Sequence, residues 1–197
     1  MTDKNNKVIL LTGFEPFAEH AVNPSEQIVR ALDGQKIGDY HIKSLVLPVM
    51  FGEAGDILIQ TIDAVNPTWV VSLGLAADRK GISIERLAVN LDDARIPDNK
   101  SQQPVDQKIS KDGETVYWST LPVKALVSAL NENGFTASLS MSAGTFVCNH
   151  VFYRLMECLK DKPAVKGGFI HLPEASDSGN ELVEGVRLIL ESLSIRH

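Results

Sequence analysis

Two rhythms of hydrophobic and polar positions alternate along the chain. Short apolar runs at 8–12, 42–47, 69–73, 82–90, 137–141 and 168–172 read as strands, most of them bounded by glycine, proline or polar residues. The run at 69–73 ends at Gly74, and in 82–90 the apolar residues Ile82, Ile84, Leu87 and Val89 are interleaved with polar ones. Helix-period segments fill the gaps at 24–32, 51–65, 122–131, 146–160 and 180–192. Asn23-Pro24 opens the first of these with a capping side chain and a proline at N1, where its missing N–H is not needed. Val123, Leu126, Val127 and Leu130 fall at i, i+3, i+4 and i+7, and Phe152, Leu155, Met156 and Leu159 share one helical face.

Strands alternating with helices predict a single-domain three-layer α/β/α fold, with a mostly parallel (mixed) twisted sheet flanked by helices on both faces. Residues 97–121 break the rhythm. They hold Pro97, Pro104, Gly113, several charges and Tyr117-Trp118, and so long an excursion is expected to serve function or an interface. No linker, repeat or composition shift divides the 197 residues, so 1–197 reads as one domain.

Composition removes several function classes. Nineteen basic residues against 25 acidic ones give a net charge of −6, which offers no basic face to a nucleic acid. No run approaches the eighteen or so apolar residues of a membrane span, and residues 1–7 show no signal-peptide pattern, so a cytoplasmic protein is expected. Cys148 and Cys158 are ten residues apart on one predicted helix, about 15 Å at 1.5 Å per residue. That is too far for a disulfide, so both read as free thiols in a reducing compartment. Dinucleotide, P-loop, zinc, EF-hand and serine-hydrolase motifs are absent. His20, His41, His150, His171 and His197 show no ligand spacing, so neither a metal nor a cofactor is expected.

What remains is a cysteine. Cys148 falls in the first turn of the 146–160 helix, directly after the 137–141 strand. A helix N-terminus stabilises a thiolate, which predicts a lowered pKa and a nucleophile at the carboxyl edge of the sheet. A helix cysteine is more often a packed hydrophobe, and position alone leaves both roles open. A nucleophilic thiol needs a base. His150, two residues on, points to another face of the same helix, whereas His171 closes the 168–172 strand and lies beside Cys148 if the two strands are neighbours. Glu85, a carboxylate among apolar strand residues, is costly unless paired. Asp92, Asp93, Arg95 and Asp98 follow in a turn-rich stretch that also reads as solvated loop. Phe14 and Phe17 read equally as core or as pocket walls.

Five blocks in order, spanning roughly residues 8–175, resemble the type I pyroglutamyl peptidases (pyrrolidone-carboxylate peptidases), a family of intracellular cysteine peptidases. They are Thr12-Gly-Phe-Glu-Pro-Phe17 with Asn23-Pro-Ser25; Glu85-Arg86 with Ala88-Val-Asn90; Asp93-Ala-Arg-Ile-Pro-Asp-Asn99; Ser142-Ala-Gly-Thr-Phe-Val-Cys-Asn-His150; and Gly168-Phe-Ile-His-Leu-Pro173. The resemblance implies a triad of Cys148, His171 and Glu85, with Arg95 near the nucleophile and the oxyanion. It implies a substrate pocket lined by Phe14, Phe17, Ile96, Phe146 and Val147, and a wall supported by Asn23. It also implies peptides with N-terminal pyroglutamate (5-oxoproline) as substrates, hydrolysis through a thioester, and a homo-oligomer, commonly a tetramer. The chain departs from the family pattern at Ala76-Ala77-Asp78-Arg79, where Ala-Gly-Gly-Arg is usual, and at Leu75, where some members carry glutamine; both predict an altered loop. Two other readings stay beside this one: a hydrolase of other small lactams or amides on the same scaffold, and a non-catalytic α/β ligand-binding protein.

Overall fold

A computed structural model describes residues 7–18, 21–174 and 180–195; His20 and His197 lie outside them. Its strands and helices run β1 (Lys7–Phe14), α1 (Pro24–Leu32), β2 (Lys36–Ile37), β3 (Tyr40–Leu47), α2 (Glu53–Val65), β4 (Trp69–Leu75), β5 (Ile82–Glu85), β6 (Leu87–Val89), β7 (Val116–Trp118), α3 (Val123–Glu132), β8 (Ala137–Ser140), α4 (Val147–Lys160), β9 (Lys166–Leu172) and α5 (Asn180–Ser194). The fold is a single α/β domain. A seven-stranded mixed sheet has the order β2-β3-β1-β4-β9-β5-β8. Strands β3, β1, β4 and β9 are parallel, whereas β5 and β8 are parallel to each other and run against that block.

Alternate residues of each strand point to opposite faces, and this divides the core in two. Leu11, Leu73 and Ile170 face α1, α3 and α5. Leu10, Val70 and Phe169 face α2 and α4. The apolar stripes of the helices close each layer, as the periodicity predicts. No helix among the described residues is long and apolar enough to cross a membrane.

Four differences from the sequence reading bear on the site. First, β4 does not end before Gly74 but runs through it to Leu75. Second, the stretch read as one strand over 82–90 divides at Arg86, and β6 pairs with β7 in a separate two-stranded sheet built partly from the 97–121 excursion. Third, α2 begins at Glu53 rather than 51, because Gly52 takes a positive φ of 74° that breaks the helical path. Fourth, β8 is not a neighbour of β9. Strand β5 lies between them, and β8 is an edge strand parallel to β5 that runs against β9, so the neighbouring strands expected to set Cys148 beside His171 are not neighbours.

Candidate active site

Helix α4 crosses the face of the sheet rather than continuing a strand beside β9. That crossing brings Cys148, the second residue of the helix, down onto β4. A Cβ built on Gly74 would lie 2.9 Å from the Cys148 sulfur. Gly74 is in register with His171 on β9, so the bare glycine backbone seats the thiol on the strand adjoining the histidine. Phe169 lies on the same face of β9 as His171, with ring centroids 4.9 Å apart, and walls the site from the core.

His171 Nδ1 donates to Glu85 Oε1 at 2.7 Å. Glu85 is fully buried and His171 is 4% exposed. The carboxylate fixes the imidazole tautomer and leaves Nε2 free to accept. Glu85 comes from β5, the strand inserted between β8 and β9. Arg79, in the loop after β4, donates to the same Oε1 at 2.6 Å and to Ser142 O at 2.9 Å. The sequence placed Arg79 only at the start of a stretch of candidate third members and anion binders, between Arg79 and Asn99, and gave it no specific partner. The signal was a cation six residues before a buried carboxylate.

His150 lies in a different environment. Its Nδ1 meets Asp92 Oδ2 at 2.8 Å, and its Nε2 accepts from the Gly52 N–H at 3.1 Å. Both nitrogens are occupied, which leaves none for a thiol. Asn149, also missed in the sequence, is fully buried. It takes the Val89 N–H and donates to the carbonyls of Val89 and Leu91, acting as a strand partner for β6 and pinning the first turn of α4.

The Cys148 thiol does not have the lowered pKa expected of a helix N-terminus. Burial pushes it from 9.0 up to about 12, the Glu85 charge adds to the rise, and Arg79 opposes it. Magnitudes explain the outcome. A helix N-terminus supplies only about 0.3–1 kcal/mol, too little to offset the desolvation of the thiol together with the nearby Glu85 charge.

Cys148, His171 and Arg79 open on a cavity of about 880 Å³. Phe17, Ile96, Phe146, Arg95, Asp78 and Asp93 line it as well. Phe17 and Phe146 have ring centroids 6.0 Å apart, and Phe51 meets Phe146 edge-on at 5.4 Å. Phe14 and Val147 are not among the lining residues. Phe14 is 2% exposed and Val147 1%, and both pack in the core beneath, Phe14 against Phe169. Asn23 acts at a distance: it caps α1 through Ser25 N and donates to Glu15 O, holding the loop that carries Phe17. Asn99 bonds Glu15 Oε1 and Pro16 O, joining that loop to the one carrying Arg95 and Ile96. Leu75, Ala76, Ala77 and Asp78 also face the cavity. Neither Ala77 nor Asp78 adopts a positive φ, so this loop forms without the usual glycines. Among the described residues no group of three or more His, Cys, Asp or Glu side chains is placed to hold a metal ion.

Known proteins resemble the chain along most of its length. A family model described as pyroglutamyl peptidase matches residues 7–183. A pyrrolidone-carboxylate peptidase of Klebsiella pneumoniae (strain 342) is 52% identical over 165 residues, covering 84% of this chain and 77% of that protein. One from Halalkalibacterium halodurans is 43% identical over 199 residues, covering 94% and 98%. The crystal structure of pyroglutamyl peptidase I from Bacillus amyloliquefaciens superimposes with a TM-score of 0.93 at 37% identity, over 96% of each chain.

Proposed function

The chain belongs to the pyroglutamyl peptidase family, and from that premise we propose that Cys148 is its nucleophile, His171 its base and Glu85 the carboxylate that orients the base. It is a cysteine-type peptidase that removes N-terminal pyroglutamate from peptides. The observation that carries the residue assignment is the 2.7 Å bond between His171 Nδ1 and Glu85 Oε1, on the cavity that Cys148 also faces.

A pyroglutamyl peptide has no free α-amine, so its first residue offers a flat lactam and no charge. Phe17, Phe146 and Ile96 supply apolar walls suited to that ring. As the Cys148 sulfur bonds to the pyroglutamyl carbonyl carbon, its proton passes to His171 Nε2. Because burial holds the free thiol near 12, the thiolate forms as one half of an ion pair with the imidazolium. The oxyanion meets N–H groups of the first turn of α4, whose N-cap Phe146 offers no capping side chain, with Arg95 on the cavity wall. The C–N bond then breaks and the departing amine takes the proton from His171, leaving a thioester. Water attacks the thioester with His171 as base, the C–S bond breaks, and 5-oxoproline leaves as the thiol is restored.

Both cysteines are free, which supports a reducing, cytoplasmic setting for a nucleophile that must stay unoxidised. Val105, Trp118, Leu139 and Met141 are large apolar side chains exposed on the single chain, which supports a homo-oligomer, and we take a tetramer as its form. The test of function is hydrolysis of a chromogenic pyroglutamyl amide. Cys148→Ser should abolish it without unfolding the chain, and retained turnover would overturn the nucleophile assignment.

A further inference from the structure

One charged side chain outside the proposed triad is bonded directly to it. Arg79 Nη1 donates to Glu85 Oε1, the oxygen that also accepts from His171 Nδ1. The other carboxylate oxygen, Oε2, is buried and has no hydrogen-bond partner among the described residues. Glu85 is therefore held by one oxygen between two donors. With no solvent contact its charge must be balanced by the protein. Neutral His171 offers a dipole, whereas Arg79 offers a permanent full charge. The second prong of the guanidinium bonds Ser142 O, in the loop that leads from β8 to the N-cap of α4. One side chain thus spans the carboxylate behind the base and the loop that delivers the nucleophile.

We propose that Arg79 is a positioning residue for the reaction: it holds the Glu85 carboxylate in place for His171 and fixes the loop at Ser142 so that Cys148 meets the imidazole. This rests on the assignment of Cys148, His171 and Glu85 above. Before proton transfer the four groups are thiol, imidazole, carboxylate and guanidinium, with net charge zero. Afterwards they are thiolate, imidazolium, carboxylate and guanidinium, alternating in sign and again summing to zero. Without Arg79 the same buried site carries a net negative charge, and forming a thiolate there is opposed. The direction of its effect on the thiol agrees, since Arg79 pulls Cys148 down against burial and Glu85.

Arg79 also lines the cavity, so direct contact with substrate is the competing role. Kinetics separate the two. In the full-length enzyme Arg79→Ala should lower kcat roughly tenfold to a hundredfold, the size of a lost hydrogen bond to a charged group, with KM nearly unchanged. In a Glu85→Gln background the same substitution should cost clearly less than in the wild type, because its charged partner is already neutral and only the bond to Ser142 O remains to be lost. Iodoacetamide should alkylate Cys148 more slowly in Arg79→Ala at neutral pH. Arg79→Lys keeps the charge without the fork and should recover part of kcat; it also serves where the alanine variant melts early. A loss confined to KM, fold-losses that multiply in the double variant, or a lysine variant no better than alanine would overturn the proposal. Turnover by Cys148→Ser would instead refute the triad assignment itself, so the two failures are distinguishable.

Discussion

Cys148 rests on the bare backbone of Gly74. A Cβ at that glycine would stand 2.9 Å from the sulfur and 2.8 Å from Phe169 Cζ, inside the closest approach of real side chains. Both contacts are too close, so the sulfur and the buried Phe169 ring must both shift to admit the methyl group. Gly74→Ala should therefore lower kcat/KM about a hundredfold, the scale of a displacement of about 1 Å at a reacting group. It should also cost about 1–3 kcal/mol of stability through overpacking. Steady-state kinetics on the pyroglutamyl amide with a denaturant titration check this, and an alanine variant within a few-fold of wild type would contradict it.

The two buried histidines should separate cleanly. His171→Ala should cost about 10²- to 10⁴-fold in kcat, the range of a lost general acid–base, while the fold survives. His150→Ala should act mainly on stability. It strands Asp92, whose Oδ1 already has no hydrogen-bond partner among the described residues, and frees the Gly52 N–H, a loss of about 1–3 kcal/mol. Melting curves and kinetics on both variants decide the matter; an inactive but stable His150→Ala would reverse the assignment of the base.

Most of the architecture was legible, and the failures have physical causes. Helix α1 falls where Asn23-Pro24 and the apolar stripe put it, because capping and periodicity are local signals. The break at Arg86 was missed by reading 82–90 as one strand, although a change of phase marks it: Ile82 and Ile84 occupy even positions, Leu87 and Val89 odd ones, so one strand cannot turn all four to one face. The two-residue β2 and three-residue β7 carry too few residues to show a period. Strand order was not legible, since nothing local tells β8 that β5 will separate it from β9. For the site, Cys148, His171 and Glu85 stood out by residue type and position. Phe14 and Phe17 could not be told apart from sequence, because only the turn after β1 sends one ring into the core and the other to the cavity. The raised thiol was missed because burial is set by tertiary packing, which outweighs the local helix end.

That raised thiol makes a pH prediction. A native thiol pushed from 9.0 to about 12 favours the protonated form, so its contribution to stability is present below pH 9 and is lost as pH rises toward 12. The stability advantage of the wild type over Cys148→Ser should therefore shrink between pH 9 and pH 12. Without its base the thiol should also become inert. In His171→Ala, iodoacetamide should modify Cys148 only at strongly alkaline pH, whereas the wild type reacts near neutrality through the ion pair. Alkylation of both proteins with the same pH profile would show that His171 does not carry the thiol proton.

Asn149 carries the last prediction, because it links stability to the placement of the nucleophile. Its side chain occupies the Val89 N–H and the Val89 and Leu91 carbonyls from a fully buried position next to Cys148. Asn149→Ala leaves the Val89 N–H and the Leu91 carbonyl without their side-chain partner, while the Val89 carbonyl keeps the Leu91 N–H, and it empties the space of the amide. Leaving buried donors and acceptors unpaired costs about 1–3 kcal/mol each, with water entering the gap offsetting part of it. A total loss of about 3 kcal/mol is expected in a urea titration. The first turn of α4 would then lose its tie to β6 and keep only the bonds of His150 to Asp92 and Gly52, so kcat should fall with little change in KM, because the cavity walls at Phe17 and Ile96 are anchored elsewhere by Asn23 and Asn99. Asn149→Asp tests the same link with the side-chain length preserved. It can still accept from the Val89 N–H but can no longer donate to the two carbonyls, so it should be no more stable than the alanine variant. If either variant kept both wild-type stability and wild-type kcat, the tie between β6 and the start of α4 would have no part in placing Cys148.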